Sequence, residues 1–156
     1  MKCRLIAAGT RLPDWINSGF REYQQRLRTP LVLELHEIAV ATRRPGENPA
    51  RAISREGADM LAALGKDDYV VALEITAKTM DTLQLCAWLA ERMRDGRSLA
   101  LLIGGPDGLA PQCRARADQS WSLSPLTLPH GLVRVVVAEQ LYRAVSLLAG
   151  HPYHRA

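Results

Sequence analysis

The sequence predicts an α/β fold built on a mainly parallel sheet. Strand-like segments alternate with segments of helical periodicity along the 156-residue chain, and this alternation favours parallel strands joined by crossover helices. Two strand segments, residues 69–75 (YVVALEI) and 98–103 (SLALLI), are apolar runs. Such runs are typical of strands that are buried on both faces of a parallel sheet.

The first half of the chain is predicted to hold two strands and two helices. In order, these are a strand over residues 2–8, a helix from Pro13, a strand over 31–38 and a helix over 51–64. Apolar side chains at helical spacing indicate the first helix, namely Ile16, Phe20, Tyr23 and Leu27. Residues 31–38 alternate in polarity, which predicts a half-buried strand.

The second half repeats the alternation and adds a long final helix. Its predicted elements are a strand over 69–75, a helix capped by Asp81 or Thr82 that runs to Asp95, a strand over 98–103, a short helix from Pro111, a strand over 120–123 and a helix over 132–149. Aspartate and threonine both cap helix starts. The helix over 132–149 is apolar around most of its circumference, which predicts partners on more than one side.

Three segments follow predicted strands and are candidate ligand loops, because ligands bind beyond the carboxyl ends of strands in such sheets. They are the loop after Ile75, the segment GGPDG after Ile103 and the segment SPLTLPHG after Leu123. Gly104 and Gly105 allow positive φ and close approach of a ligand. The irregular apolar stretch 123–128 is either a buried connector or the lining of a pocket for a flat group such as adenine.

Other candidate residues have structural interpretations from the sequence alone. The spacing of Glu139 and Arg143 is typical of an ion pair on one helix face, and His130 is expected to be structural or capping. His151 and His154 have no carboxylate or cysteine nearby, so no metal site is predicted. The chain also lacks HExxH and GxSxG signatures, so nothing supports hydrolase chemistry.

Composition excludes several classes of protein. The net charge of +4 permits a polyanionic partner without requiring one. The odd number and wide spacing of Cys3, Cys86 and Cys113 argue against a disulfide framework. No apolar run reaches the roughly 18 residues of a membrane span, and the N-terminal segment has no signal-peptide pattern. We therefore expect a cytoplasmic protein.

The opening segment MKCRLIAAGTRLPDWINSGFREY and the ordered motifs GGPDG, WSLSPLTLPHGLVRVVVAEQLYRA and HPYHRA resemble the bacterial ribosomal RNA large-subunit methyltransferase H family. The resemblance covers essentially the whole chain. It implies a single SPOUT methyltransferase domain over residues 1–156, with a trefoil knot in about 100–156. It also implies a homodimer that uses S-adenosyl-L-methionine, without a metal, to methylate N3 of a pseudouridine in 23S rRNA on the assembled ribosome.

The resemblance also implies the site residues. The positions that match cofactor-binding places are Leu73, Gly104, Leu123, Ser124, Pro125, Leu126, Thr127 and Leu128. The tail residues Tyr153, His154 and Arg155 match the end of the chain expected beside the target base, as catalytic residues. Asp107 and Gly131 depart from the family pattern, where glutamate and a bulkier residue are usual.

Three alternatives remain open from the sequence. One is another SPOUT methyltransferase that acts on tRNA, and a second is a non-catalytic ribosome assembly factor. The third is a flavodoxin-like module, which would bind flavin or phosphate.

Overall fold

A single sheet of five parallel strands organises the computed structural model, which describes residues 1–154 apart from the side chain of His154. The strands of this described part are β1 (Lys2–Ala8), β2 (Val32–Ile38), β3 (Tyr69–Leu73), β4 (Leu99–Ile103) and β5 (Gln119–Trp121). Their spatial order is β2-β1-β4-β3-β5, and each neighbouring pair is parallel. The predicted α/β class with a parallel sheet is confirmed.

Helices cover both faces of the sheet. They are α1 (Asp14–Arg26), α2 (Pro49–Ala62), α3 (Thr82–Asp95), α4 (Pro111–Arg116) and α5 (His130–Leu148), and a short 3₁₀ turn follows at Pro152–His154. Helices α1, α3 and α5 bury their apolar side chains on one face, and α2 and α4 do so on the other. The connections place the carboxyl ends of all five strands at one edge. The knot expected in about 100–156 stays a prediction.

Strand β3 is shorter than the predicted 69–75. It ends at Leu73, because the chain turns at Glu74, whose carbonyl accepts a hydrogen bond from the N–H of Ala77 at 3.2 Å. Ile75 lies in this turn and is 51% exposed. The apolar run over 69–75 therefore extends beyond the end of β3 into a loop at the carboxyl edge of the sheet.

Two helices begin earlier than predicted, and the structure decides between the two predicted N-caps of α3. Helix α5 starts at His130 rather than Leu132, since the N–H of Val133 already bonds to the carbonyl of Pro129 at 3.1 Å. Helix α2 starts at Pro49, capped by the side chain of Asn48. At α3, Asp81 is the cap, and Gln84 completes a reciprocal pair of hydrogen bonds with it.

The apolar circumference of α5 is satisfied in part within the chain. Val137 and Leu141 are fully buried, and Val135 lies directly over Gly19 of α1. Exposure persists at the end of the helix, where Leu148 is 42% exposed. The chain itself therefore supplies part of the packing that the apolar circumference predicts, and an outside partner for the rest stays a prediction. In the described part of the chain, no helix is long and apolar enough to cross a membrane.

Candidate functional site

A cavity of about 590 Å³ opens at the carboxyl ends of β3 and β4, beside the start of α5. Its wall comes from loop segments within 73–76, 103–109 and 122–130, and from Val133. These are the three loops that the sequence predicted as ligand loops. The volume lies within the roughly 300–1,000 Å³ that is usual for small-molecule sites.

All the predicted cofactor residues except Pro125 line this cavity. Leu73 contributes from β3, Gly104 from the end of β4, and the others from the loop before α5. Pro125 lies in the same loop but is exposed and away from the wall. The structure therefore brings together residues that are up to about fifty positions apart in the chain.

Two serines fix the irregular loop over residues 123–128. The sequence alone did not decide whether this loop is a buried connector or a pocket wall. The hydroxyl of Ser122 donates to the carbonyl of Ser124 at 2.9 Å, and the N–H of Leu126 donates to the hydroxyl of Ser124 at 2.9 Å. Short polar side chains commonly hold turns in this way. The loop is thus a shaped pocket wall, and Leu126 stands 74% exposed at its edge. Ser122 was not predicted, although the Ser-x-Ser spacing is the signal for such a turn.

The loop after β4 folds back on itself, and this explains its first glycine. A Cβ atom on Gly104 would lie 2.4 Å from the carbonyl carbon of Gly108 and 2.6 Å from the nitrogen of Leu109. The expected positive φ is found at Gly108 (φ +84), and not at Gly104 or Gly105. Gly104 is therefore required by the protein's own backbone, and its contact with a bound cofactor stays a prediction.

An ion network of Arg43, Glu56 and Asp107, in which only Glu56 is buried, holds the same loop. Arg43 donates to Asp107 from Nε at 2.9 Å and from Nη2 at 2.8 Å. The same guanidinium pairs with Glu56 of α2, which is only 3% exposed and also accepts from the N–H of Ala41. Asp107, whose side chain is shorter than the glutamate usual at this position, therefore still reaches Arg43. Sequence reasoning missed Arg43 and Glu56, because nothing local links them to the glycine turn.

His130 lines the cavity at the first position of α5. Partial burial, together with the positive charge of Arg134 one turn further on, lowers the pKa of the His130 imidazole below its usual value. Near pH 7 the ring is consequently neutral, so it can accept a proton or a hydrogen bond from a molecule in the cavity. The structural role expected for His130 is incomplete, since the ring faces the candidate site.

We expect an NMR titration of His130 to show a midpoint below 6.5, its ordinary value. Because the folded-state pKa lies below that of the unfolded chain, the contribution to stability is complete above pH 6.5. It is lost as the pH falls from 6.5 through the folded-state pKa. A His130→Gln variant assigns the resonance, and a midpoint at or above 6.5 would contradict the interpretation.

Tyr153 lies against the middle of α5, and residues 151–153 of the tail are not among those that line the cavity. The hydroxyl of Tyr153 donates to Oε1 of Glu139 at 3.2 Å, and its ring meets Tyr142 with centroids 4.7 Å apart. Burial, and then neighbours that include the negative charge of Glu139, raise the pKa of Tyr153, so the phenol stays protonated. Glu139 also forms the predicted ion pair with Arg143 at 2.7 Å. The side chain of His154 and all of Arg155 lie outside the described residues.

Comparison with known proteins identifies the family. The family model described as "Predicted SPOUT methyltransferase" matches residues 1–154. The chain is also 58% identical, over all 156 residues and the full length of both proteins, to "Ribosomal RNA large subunit methyltransferase H" of Alkalilimnicola ehrlichii. This chain belongs to the SPOUT methyltransferase family.

Solved structures agree with the fold of this SPOUT methyltransferase. "Probable Methyltransferase" from Bordetella pertussis Tohama I matches with a TM-score of 0.57 at 16% identity, over 92% of this chain and 93% of that one. TrmJ from Z. mobilis ZM4 matches with a TM-score of 0.51 at 18% identity, over 90% of this chain and 69% of that one. At such low identity these two similarities show the fold alone.

Proposed function

We propose that this SPOUT methyltransferase transfers a methyl group from S-adenosyl-L-methionine to N3 of a pseudouridine in 23S rRNA on the assembled ribosome. The observation that carries the proposal is full-length similarity at 58% identity to a ribosomal RNA large-subunit methyltransferase. The cavity supports it, because residues matched to cofactor-binding places converge there. We further propose that residues 1–156 form one catalytic domain, located with ribosomes in the cytoplasm.

The residues of the cavity fit S-adenosylmethionine. Its volume of about 590 Å³ suits a nucleoside with an amino-acid side arm. Leu73, Leu123 and Leu128 offer apolar contact to the adenine ring, and the loop backbone at 122–128 offers hydrogen bonds to its edge. When bound, the cofactor would supply a methyl group that its sulfonium already activates.

The protein then has two tasks, positioning and proton transfer. Positioning the acceptor nitrogen in line with the methyl group supplies much of the acceleration in such reactions. The N3–H of the target base must lose its proton, and we assign this step to the tail, to His154 or to a water that it orients. Arg155 would stabilise the negative charge that develops on the neighbouring carbonyl oxygens. Tyr153, held protonated, would support the tail through its aromatic ring.

Deleting residues 151–156 should lower the single-turnover methylation rate at least tenfold, about 1.4 kcal/mol in the barrier. The reason is loss of the groups assigned to the target base. Cofactor affinity and most of the stability should remain. In the described part of the tail, the side-chain hydrogen bond and the ring contact with α5 both come from Tyr153, so the deletion removes few contacts. The rate is measured on ribosomes that lack the modification, with thermal melting as the folding control. Full activity of the truncated protein would remove the tail from the active site.

We propose that the protein acts as a homodimer. In the described chain, Tyr153 contacts the middle of α5, whereas the cavity lies at the start of that helix. Glu139 lies nine positions after His130 in the same helix, which is about 13.5 Å along the helix axis. A second copy could bring its tail to this cavity. Light scattering should therefore give twice the monomer mass, and a stable monomer at micromolar concentration would contradict the proposal.

The experiment that tests the proposed function is methyl transfer from labelled S-adenosylmethionine. The acceptors are assembled ribosomes, large subunits, naked 23S rRNA and bulk tRNA. We expect label in 23S rRNA, with the assembled ribosome as the best acceptor. Label in tRNA alone would favour a different SPOUT substrate, and cofactor binding without transfer to any acceptor would favour a non-catalytic assembly factor.

A further inference from the structure

A set of cations surrounds the cavity at the carboxyl edge of the sheet. Arg11 lies in the loop after β1, Arg44 in the loop after β2 and Lys78 in the loop after β3. All three residues are exposed, and none forms an ion pair with a carboxylate in the described part of the chain. Because strand order at this edge is β2-β1-β4-β3, the cations stand on both sides of the cavity after β4. We call these three residues the cationic rim.

Each rim residue is tied closely to the wall of the cavity. Arg11 lies two residues after Gly9, where a Cβ atom would lie 3.4 Å from Nε2 of His130. Arg44 follows Arg43, which holds Asp107 in the glycine loop at 2.8 Å. The carbonyl of Lys78 accepts from the N–H of Ser122 at 3.0 Å, and Ser122 lines the cavity. Each rim residue therefore lies within two positions of a residue that contacts the cavity wall, or contacts the wall through its own backbone.

Carboxylates near this edge are largely neutralised by other arginines. Asp107, Glu74 and Glu37 pair with Arg43, Arg114 and Arg134, respectively. The exposed carboxylates of Asp14 and Asp81 lie at helix starts, and Asp81 also caps its helix. At those positions the helix dipole offsets negative charge. The carboxylates near the rim cations are thus either paired with other arginines or located at helix starts.

We infer that the cationic rim binds phosphates of the ribosomal RNA on both sides of the target nucleotide, an inference that rests on the proposed function. Arginine presents a fork of donors that suits phosphate oxygens, and lysine acts as a point charge. Contacts to the backbone position a nucleic acid without reading its sequence. The rim would therefore fix where the RNA crosses the cavity, while the cavity and tail select the base.

The test compares two triple variants that change the net charge equally. One removes the rim, as Arg11→Gln, Arg44→Gln and Lys78→Gln. The control, as Arg28→Gln, Lys66→Gln and Arg94→Gln, removes three exposed cations from the loops and helix ends at the amino edge of the sheet. Neither set includes a residue of the cavity wall. Methyl transfer to ribosomes is measured from low to high salt, with cofactor affinity as a separate readout.

The rim variant should raise KM for ribosomes at least fivefold near 100 mM salt, with the rate at saturating ribosome and the cofactor affinity within twofold of wild type. Each phosphate contact contributes about 0.7–0.9 to the logarithmic salt slope, so the slope of KM should fall by about 2. The control should change KM less than twofold. Equal KM changes in the two variants, or an unchanged salt slope in the rim variant, would overturn the inference alone. Wild-type protein that transfers no methyl group to rRNA would overturn the proposed function and this inference together.

Discussion

Gly104→Ala should weaken binding of S-adenosylmethionine by about 2 kcal/mol or more, roughly thirtyfold in Kd. The added methyl group would lie 2.4 Å from the carbonyl carbon of Gly108, which is backbone and cannot swing aside. The loop from Gly104 to Leu109 must then open, and it forms one wall of the proposed cofactor cavity. Isothermal calorimetry on the folded variant measures the loss.

Gly105→Ala is the matched control for this prediction. A Cβ atom on Gly105 would meet its nearest neighbours, Ala8 and Glu56, only at 3.4 Å. Both glycines lie in the same turn and line the same cavity, but only one faces a backbone clash. We therefore expect cofactor affinity within threefold of wild type for Gly105→Ala. A well-folded Gly104→Ala variant with unchanged affinity would show that the glycine loop does not shape the site.

Arg134→Met should lower the free energy of unfolding by about 3 kcal/mol or more, the cost of breaking a buried ion pair from one side. Arg134 is 1% exposed and donates to the carbonyls of Ala8 and Gly9 and to the carboxylate of Glu37. Methionine fills much of the space but satisfies none of these acceptors. The ends of β1 and β2 would lose their connection to α5.

Urea unfolding followed by circular dichroism measures this change. The control is Arg94→Met, another arginine-to-methionine change in a helix, at an exposed position. Surface changes of this kind usually stay within about 0.5 kcal/mol. Equal destabilisation by the two substitutions would mean that the hydrogen bonds of Arg134 contribute little to the fold.

Local sequence patterns predicted the elements but not what joins them. Apolar runs and helical spacing predicted the strands and helices in the right order. Burial of one or both faces of an element requires apolar side chains at regular positions, and these are visible in the sequence. The sequence interpretation treated the segment around Arg134 as an apolar helix. Its hydrogen bonds reach Ala8 and Gly9, 126 and 125 positions away, and no local period encodes such a contact.

The candidate site also has parts that the sequence predicted and parts that it did not. Residue types at strand ends indicated the three ligand loops, and seven of the eight cofactor residues that the family resemblance implied line the cavity. The ion pair between Arg43 and Asp107 spans 64 positions and depends on the loops after β2 and β4 meeting across β1. The position of Tyr153 on α5 likewise depends on how the tail folds back, which composition alone cannot specify.

Nucleoside mass spectrometry of 23S rRNA tests the proposed function most directly. Ribosomes from cells that lack this gene are incubated with the purified protein and S-adenosylmethionine, and the 23S rRNA is then digested to nucleosides. We predict that N3-methylpseudouridine is absent before incubation and is present afterwards only when both protein and cofactor are added. Unmodified pseudouridine after complete incubation, or a methyl group on a different nucleoside, would contradict it.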